Sequence, residues 1–472
     1  MAAPSAPRGR NGVNVMRTTT DELAAGPRTD GLPRGFLWGC STSAYQIEGS
    51  TGADGRGTSI WDTFARRPGA VLGGMNADLA CDSYRRWKED VALLRTLGVD
   101  AYRFSIAWPR IQPTGSGSPN AAGLDWYRRL ADALLEAGIE PAATLYHWDL
   151  PQPLEDAGGW PERDTAYRFA DYAELVMRAL GDRIKTWFSL NEPWCSSHLG
   201  YALGIHAPGR KDRSAAYRAV HHLLLAHGLA VRSCRAAAPG ARIGIVINPS
   251  TPRPATRRPQ DLMASSRAAD ERTALWLDPL YGRPYPERHL AAYPGIEMPI
   301  REGDMAIIAE KTDFLGINYY SEEAVEAVPA DPGHPEGFRV APSWREQTEM
   351  DWDIVPEGLG RQALYIAGRW PVEAIYVTEN GGAFTDRAGA DGRVRDRDRI
   401  GYMESHIASL AGAAARGAPV KGYFAWSLLD NFEWSHGYSK RFGLVAVDSA
   451  TGERRPKDSF WFYRDLVAGF GS

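Results

Sequence analysis

The sequence predicts a single α/β domain, a (β/α)8 or TIM barrel with long loops at the C-terminal face of the strands. Eight apolar runs of strand length alternate with amphipathic helical segments, and no linker or change in composition divides them. The 472 residues could hold two or three average domains, but barrels with long loops commonly fill this length as one unit. We therefore predict a disordered N-terminal extension over residues 1–30 and one barrel domain over residues 31–472.

The predicted elements follow one another in chain order. Residues spaced by three and four positions form apolar helix faces between the strands, such as the face that carries Tyr84, Val91 and Leu94. Segments 249–258 and 329–344 are rich in Pro and Gly, so we expect them to be long loops on the barrel rim. The predicted strands cover residues 36–41, 101–106, 141–146, 186–190, 242–247, 313–319, 374–378 and 422–427.

Composition and charge argue against several classes of partner. With 54 basic and 58 acidic side chains, the net charge of −4 indicates neither a nucleic-acid footprint nor a polybasic membrane surface. No apolar stretch approaches the ~18–20 residues of a membrane span, and residues 1–30 lack the apolar core of a secretory signal. The chain has four scattered cysteines, a pattern typical of reduced thiols, which predicts a cytoplasmic protein. They are Cys40, Cys81, Cys195 and Cys234. The sequence does not indicate an oligomeric state.

Two strand-like runs each end in a glutamate. Glu192 follows the run TWFSLN and precedes a proline, and Glu379 follows the run IYVT and precedes Asn-Gly. A carboxyl group at the end of a buried strand is costly unless chemistry or a partner compensates for it. In a closed parallel barrel both would reach the C-terminal face, where active sites form. Acetal hydrolysis needs one carboxyl group to protonate the leaving oxygen and another to attack or stabilise the sugar carbon, so the pair predicts glycoside cleavage.

Other polar and aromatic residues lie at or just past the predicted strand ends. Taken alone, Arg103 would be interpreted as a surface or ion-pair residue. We predict a functional role for it only because we expect it beyond a barrel strand. The 16 Trp and 20 Tyr fit stacking on sugar rings as well as packing of a large core. For Trp194 and Trp352 the leaving-group side and the core stay equally open. The residues found at strand ends are Gln46, Arg103, His147, Asn191, Asn318, Tyr320 and Trp426.

Most of these single residues lie within longer segments that follow one another along the chain. The segments are FLWG (36–39), SAYQIEG (43–49), YRFSIAWPR (102–110), LYHWDLP (145–151), NEP (191–193), GINYY (316–320), TENG (378–381) and DNFEW (430–434). With these segments in this order, the chain resembles family 1 glycoside hydrolases, the β-glucosidase family, from about residue 35 to the C-terminus. The resemblance implies a retaining exo-β-glycosidase that removes terminal β-D-glucosyl residues through a covalent intermediate. It implies no cofactor and no metal, and a small β-glucoside or short oligosaccharide as substrate.

The resemblance also implies roles for the matching residues. Glu192 would be the acid/base and Glu379 the nucleophile, with Arg103, Tyr320 and Asn318 as nucleophile support. A cation and a phenol should hold the pKa of Glu379 low, whereas apolar surroundings and the negative Glu379 should raise the pKa of Glu192. The implied substrate-binding residues are Gln46, His147, Asn191, Trp426, Glu433 and Trp434, and we predict Trp148 and Trp352 as further candidates for substrate binding.

Two alternatives remain. In a 6-phospho-β-glycosidase we would expect a replacement of Glu433 and a tyrosine in place of Phe442, while Lys440 does not discriminate. A non-catalytic sugar-binding barrel would be expected to have lost a catalytic glutamate. Because galacto and fuco rings differ from glucose only at O4 or C6, we also expect β-galactosidase and β-fucosidase side activity.

Two further features receive structural interpretations. His221, His222 and His227 suggest a metal, but offsets of five and six residues do not stack on one helix face, so helix packing is favoured. Cys195 follows Glu192 by three residues and has no visible base partner, so we predict a packed thiol and not a nucleophile.

Overall fold

The computed structural model describes residues 29–470 and confirms the predicted fold class. Eight parallel strands close into one barrel, in which neighbours along the chain are neighbours in the sheet. The last strand pairs with the first, so Ser41 lies opposite Trp426 on one side and Arg103 on the other. Of the predicted N-terminal extension, residues 1–28 lie outside the described residues. The strands are β1 (Leu37–Ser41), β2 (Ala101–Ser105), β3 (Glu140–Tyr146), β4 (Thr186–Asn191), β5 (Arg242–Ile247), β6 (Phe314–Asn318), β7 (Ile375–Asn380) and β8 (Val420–Trp426).

Helices connect successive strands and cover the outside of the barrel. Their predicted apolar faces are buried, as Leu94 and Leu97 show in one helix and Tyr127 and Leu134 in the next. No helix within residues 29–470 combines the length and the apolar character that crossing a bilayer requires. The longer α-helices of the described part are Ser83–Leu97, Ala121–Glu136, Arg163–Leu180, Arg213–Ala237, Pro259–Ala269, Pro356–Arg369, Arg397–Ala415 and Asp458–Gly469.

The loops at the barrel rim contain short elements of their own. The predicted loops 249–258 and 329–344 contribute the strands Arg253–Pro254 and Phe338–Val340, which join Ala324–Ala327 in a small sheet. Pro and Gly mark the end of long regular elements but do not prevent pairing over two to four residues at a sheet edge, so the loop prediction was incomplete. Short helices on the loops include Ala44–Ile47, Ile60–Ala65, Trp108–Ile111, Gln152–Asp156 and Leu275–Leu280, and a π-helical segment covers Cys195–Ala202.

An apolar layer fills the barrel interior below the strand ends. Phe188 packs edge-on against Phe314 with ring centroids 5.1 Å apart, and Phe314 packs in the same way against Tyr376 at 5.2 Å. Every second residue of a strand faces the interior, so side chains nearer the C-terminal ends stand on this layer. The guanidinium carbon of Arg103 lies 5.2 Å from the Phe188 ring centroid. The barrel therefore offers polar chemistry at one end, above an apolar floor.

Candidate active site

A cavity of about 540 Å³ opens at the C-terminal ends of the strands. Both predicted catalytic residues line it, Glu192 directly after β4 and Glu379 from within β7. Gln46, Arg103 and Asn191 lie one layer deeper, where each hydrogen-bonds a residue of the cavity wall. The structure thus brings all predicted site residues together; those in the wall besides the two glutamates are His147, Trp148, Asn318, Tyr320, Trp352, Trp426, Glu433 and Trp434.

Two donors hold the carboxyl group of Glu379. Arg103 Nη1 donates to Oε1 over 2.7 Å, and the Tyr320 hydroxyl donates to Oε2 over 2.5 Å. Arg103 lies inside β2 and not beyond its end as predicted, because a long side chain on an interior-facing position can reach across the barrel. Its Nε donates to Thr144 over 3.1 Å and its Nη2 to Asn191 over 2.7 Å, so the guanidinium is fixed on three sides.

Glu192 is held from both of its oxygens. Oε1 accepts a 2.6 Å hydrogen bond from Asn318 Nδ2, and Oε2 accepts a 3.0 Å hydrogen bond from Cys195 Sγ. Asn318 Nδ2 also donates to Asn191 Oδ1 over 3.1 Å, which fixes the amide beside Glu192.

Burial and charge make the two carboxyl groups unequal. Burial, followed by repulsion from Glu379, raises the pKa of Glu192 to about 7. Burial also raises the pKa of Glu379 above its ordinary value, against the attraction of Arg103 and the hydrogen bond from Tyr320; the expected low pKa was therefore wrong. Because Arg103 and Tyr320 act directly on Glu379, Glu379 ionises first as the pH rises. Glu192 then keeps its proton to near neutral pH.

The inner end of the cavity is polar and includes Glu433. Its carboxyl group accepts a 3.3 Å hydrogen bond from Gln46 Nε2, which also donates to Asn431 Oδ1 over 3.1 Å. Burial, followed by repulsion from Glu379 and Glu192, raises the pKa of Glu433 to about 8. A buried amide and carboxyl side by side can pair with adjacent hydroxyls, and they reject a ligand that leaves them unpaired.

Flat aromatic faces lie beside polar groups in the same region. Trp426 and Trp434 each lie nearly parallel to the His147 ring, at 6.0 Å between centroids. Burial, followed by repulsion from Arg103, holds the pKa of His147 well below its usual value, so the imidazole is neutral. Asn191 Nδ2 lies 3.1 Å from His147 Nε2. Apolar ring faces next to amide and imidazole groups match the C–H face and the hydroxyl edge of a sugar.

Three residues of the site have a left-handed backbone although they are not glycine. They are Trp148 at φ 75°, Glu192 at φ 44° and Trp434 at φ 48°. Such conformations persist only where the surroundings over-determine them. Trp148 packs against Trp434 with centroids 4.5 Å apart, and its indole Nε1 donates to the Asn191 carbonyl over 2.9 Å. Packing at the cavity therefore stabilises backbone turns that aim side chains into it.

The outer part of the cavity contains the two tryptophans whose positions the sequence left open. Trp194 and Trp352 both line the cavity and are half-buried. Trp352 packs against Tyr320 at 5.5 Å between ring centroids. Arg272 places its guanidinium carbon 4.0 Å from the Trp194 ring centroid. The outer part of the cavity is thus lined by aromatic surfaces.

Asn248 and the contact between Cys195 and Glu192 were not predicted from the sequence. Asn248 directly follows β5 and lines the cavity, so the rule applied to the other strand ends would have found it. Cys195 also lines the cavity and has Glu192 as its partner. Its three-residue offset from Glu192 matches one turn of helix, a spacing that places side chains on the same side. Burial raises the pKa of the Cys195 thiol well above its usual value, in agreement with a thiol that is not a nucleophile.

The histidine cluster lies on helix Arg213–Ala237 and makes separate packing contacts. His221 Nε2 lies 2.8 Å from Asp304 Oδ2, His227 Nδ1 lies 2.7 Å from Ser189 Oγ, and His222 contacts a backbone carbonyl. Within residues 29–470, no group of three or more His, Cys, Asp and Glu side chains could hold a metal ion.

A closed (β/α)8 barrel whose C-terminal cavity holds two carboxyl groups of unequal proton affinity is the arrangement that glycoside hydrolysis requires. The chain belongs to glycosyl hydrolase family 1, whose sequence model matches residues 28–471.

Well-matched relatives cover nearly the same length. β-Glucosidase A of Thermotoga maritima is 46% identical over 441 residues, which span 93% of this chain and 98% of the relative. The bifunctional β-D-glucosidase/β-D-fucosidase of Bifidobacterium breve is 44% identical over 460 residues, with 93% and 98% covered. A solved structure of β-glucosidase from Thermotoga maritima in complex with galacto-hydroximolactam has a TM-score of 0.89 at 46% identity and covers 93% of this chain and 99% of that one. These comparisons confirm the family that the sequence segments predicted.

Proposed function

We propose that the protein is a retaining exo-β-glucosidase in which Glu379 is the nucleophile and Glu192 the acid/base. The observation that carries the proposal is the asymmetry of the pair: Arg103 and Tyr320 bind Glu379 directly. Glu192, with a pKa of about 7, keeps its proton for the leaving group. The names of the relatives, β-glucosidases over nearly the whole chain, support this function.

The reaction proceeds in two displacements. In the first, a Glu379 oxygen bonds to the anomeric carbon while the bond to the leaving oxygen breaks, and Glu192 gives that oxygen its proton. Glycosylation removes the charge of Glu379 and with it the repulsion that raises the pKa of Glu192, so Glu192 becomes the base. In the second, Glu192 takes a proton from water, which attacks the same carbon and releases Glu379. Two inversions at this carbon retain its configuration.

The sugar at the inner end is proposed to be β-D-glucose foremost. Gln46 and Glu433 form an adjacent amide and carboxyl there, supported by His147 and Asn191. β-Galactosides and β-fucosides are proposed as side substrates, because galactose differs from glucose only at C4 and fucose only at C4 and C6. The relative named as a β-D-glucosidase/β-D-fucosidase and the related structure that holds a galacto-configured inhibitor support this breadth.

A neutral sugar fits the inner end better than a 6-phosphorylated one. Glu433 and Phe442 both line the cavity, and the Glu433 carboxyl would repel a phosphate when charged. Faster turnover of a 6-phospho-β-glucoside than of the plain glucoside would reverse this assignment.

We further propose a cytoplasmic enzyme that acts on small β-glucosides or short oligosaccharides, without nucleic-acid or membrane partners. All four cysteines are free and buried, which suits a reducing compartment. Fractionation of the source cells followed by β-glucosidase assay of each fraction tests the location.

The experiment for the mechanism follows the first-formed anomer. Proton NMR of aryl β-D-glucoside cleavage should show β-glucose first, and initial α-glucose would refute retention. A 2-deoxy-2-fluoro glucoside should label Glu379, as located by peptide mass mapping, whereas unlabelled protein without turnover would indicate a non-catalytic sugar-binding barrel. Glu379→Ala should abolish nearly all activity. Glu192→Ala should spare substrates whose leaving groups need no proton.

The sugar preference is tested by a kcat/KM panel. Aryl β-D-glucoside should lead, with fucoside and galactoside measurable, and cellobiose and the aryl mannoside should be included for comparison. A leading mannoside would show that the residues at the inner end are wrongly assigned even if the mechanism holds.

A further inference from the structure

The thiol of Cys195 hydrogen-bonds the proposed acid/base. Cys195 Sγ donates to Glu192 Oε2 over 3.0 Å, and both side chains line the cavity. Asn248, the residue after β5, donates from Nδ2 to the same sulfur over 3.5 Å. Because an amide donor occupies one side of the sulfur, the single S–H proton is left for the carboxyl group. The three side chains therefore form one directed chain of hydrogen bonds that ends on Glu192.

The protonation states make this contact a lasting one. Burial, followed by repulsion from Glu192, raises the pKa of the Cys195 thiol well above its usual value. The sulfur therefore keeps its proton over the pH range in which Glu192 titrates. The thiol hydrogen bond favours the carboxylate form of Glu192 and opposes the burial that raises its pKa. Asn318 donates to the other oxygen over 2.6 Å, so each oxygen of Glu192 has one donor and the thiol is the one at Oε2.

We propose that Cys195, oriented by Asn248, is a positioning residue that tunes proton transfer by Glu192. This inference rests on the proposed function, because it adds a residue to the acid/base cycle of that same site. The thiol fixes Oε2 while Glu192 is an acid, and it stabilises the carboxylate while Glu192 is a base. A buried carboxylate that loses one of its donors becomes harder to ionise.

Other charged and titratable groups surround the line of hydrogen bonds from Asn248 through Cys195 to Glu192. The substitutions of Cys195 leave these groups in place, so a change in the pKa of Glu192 reports the loss of the thiol. They are Glu379, Arg103, Glu433 and Tyr320 around Glu192, and Arg272 beside Cys195.

The test is the pH dependence of kcat/KM for phenyl β-D-glucoside, whose leaving group needs a proton. The basic limb reports the loss of the Glu192 proton in the free enzyme. Cys195→Ala should move this limb to higher pH by roughly 0.5–1 unit, because the carboxylate loses a donor. Asn248→Ala should move it in the same direction by less. Cys195→Ser keeps a donor and should shift less than Cys195→Ala.

Controls separate this role from packing. Cys195→Val fills the space without a donor and should match Cys195→Ala, which also covers the case in which the alanine variant does not fold. Cys234→Ala removes another buried thiol, on the outer helix Arg213–Ala237, and should leave the limb in place. If the basic limb does not move in Cys195→Ala or Cys195→Val, or moves equally in Cys195→Ser and Cys195→Ala, the role of Cys195 is refuted. The proposed function would then still stand. A wild type without hydrolysis would overturn the proposed function as well.

Discussion

Removal of the Tyr320 hydroxyl tests how the nucleophile is kept ionised. The hydroxyl donates to Glu379 Oε2 over 2.5 Å, while Arg103 Nη1 serves the other oxygen over 2.7 Å. Tyr320→Phe keeps the ring that packs against Trp352 and takes away only the donor. The carboxylate would then be held from one side, in a place where burial already raises its pKa.

The size of the effect follows from the loss of one hydrogen bond to a charged, buried group. Such a bond contributes about 1.5–3 kcal/mol. At about 1.36 kcal/mol per pKa unit, the pKa of Glu379 should rise by ~1–2 units. The nucleophile must be ionised, so the acid limb of kcat/KM should move to higher pH by the same amount. On the acid side of that limb, activity should fall ~10–100-fold.

The assay is the pH profile of kcat/KM with an aryl β-D-glucoside that has a good leaving group, so that the acid limb dominates. Tyr463→Phe is the matched control, because this buried hydroxyl donates to the Gly39 carbonyl over 2.7 Å and touches neither glutamate. It should lower the thermal midpoint without moving the limb. If Tyr320→Phe shows the wild-type acid limb, Tyr320 does not stabilise the ionised nucleophile and the argument for Glu379 fails.

Three further predictions concern the acid, the sugar site and stability. In the wild type, kcat/KM for a poor leaving group should decline as pH rises through about 7, because Glu192 must be protonated; a profile that stays flat to high pH would contradict this. Glu433→Ala should lower kcat/KM for the glucoside by ~100-fold in the same sugar panel, because the contacts of the carboxyl group with the sugar hydroxyls are lost. The thermal midpoint should change little. Lys457 is fully buried with Nζ 2.5 Å from Asp386. Lys457→Met should lower the free energy of unfolding in urea by about 3–5 kcal/mol, since Asp430 loses its cation and Asp386 keeps only Arg399. Arg455→Met, in an exposed pair, should change it by less than about 1 kcal/mol. Equal losses in the two variants would refute the role assigned to the buried ion pair.

The sequence by itself determined the barrel and its candidate catalytic pair. Strand runs and helix faces depend on the spacing of apolar residues along the chain, so they are visible without coordinates. The same holds for Glu192 and Glu379, which end apolar runs next to breaker residues. Once eight strands close in chain order, their C-terminal ends must meet. The fold class and the location of the cavity therefore follow from local patterns.

Only the tertiary structure decided how the site residues act on one another. Arg103 reaches Glu379 from inside its strand, and burial outweighs that cation in setting the direction of the Glu379 pKa shift. Asn248 lies more than 50 residues from Cys195 and Glu192 in the chain, yet the three side chains form one line of hydrogen bonds. Spacing along the chain does not give the distance between side chains on different strands, nor the extent of burial. Proton affinities depend on both, so they emerge only when the barrel closes.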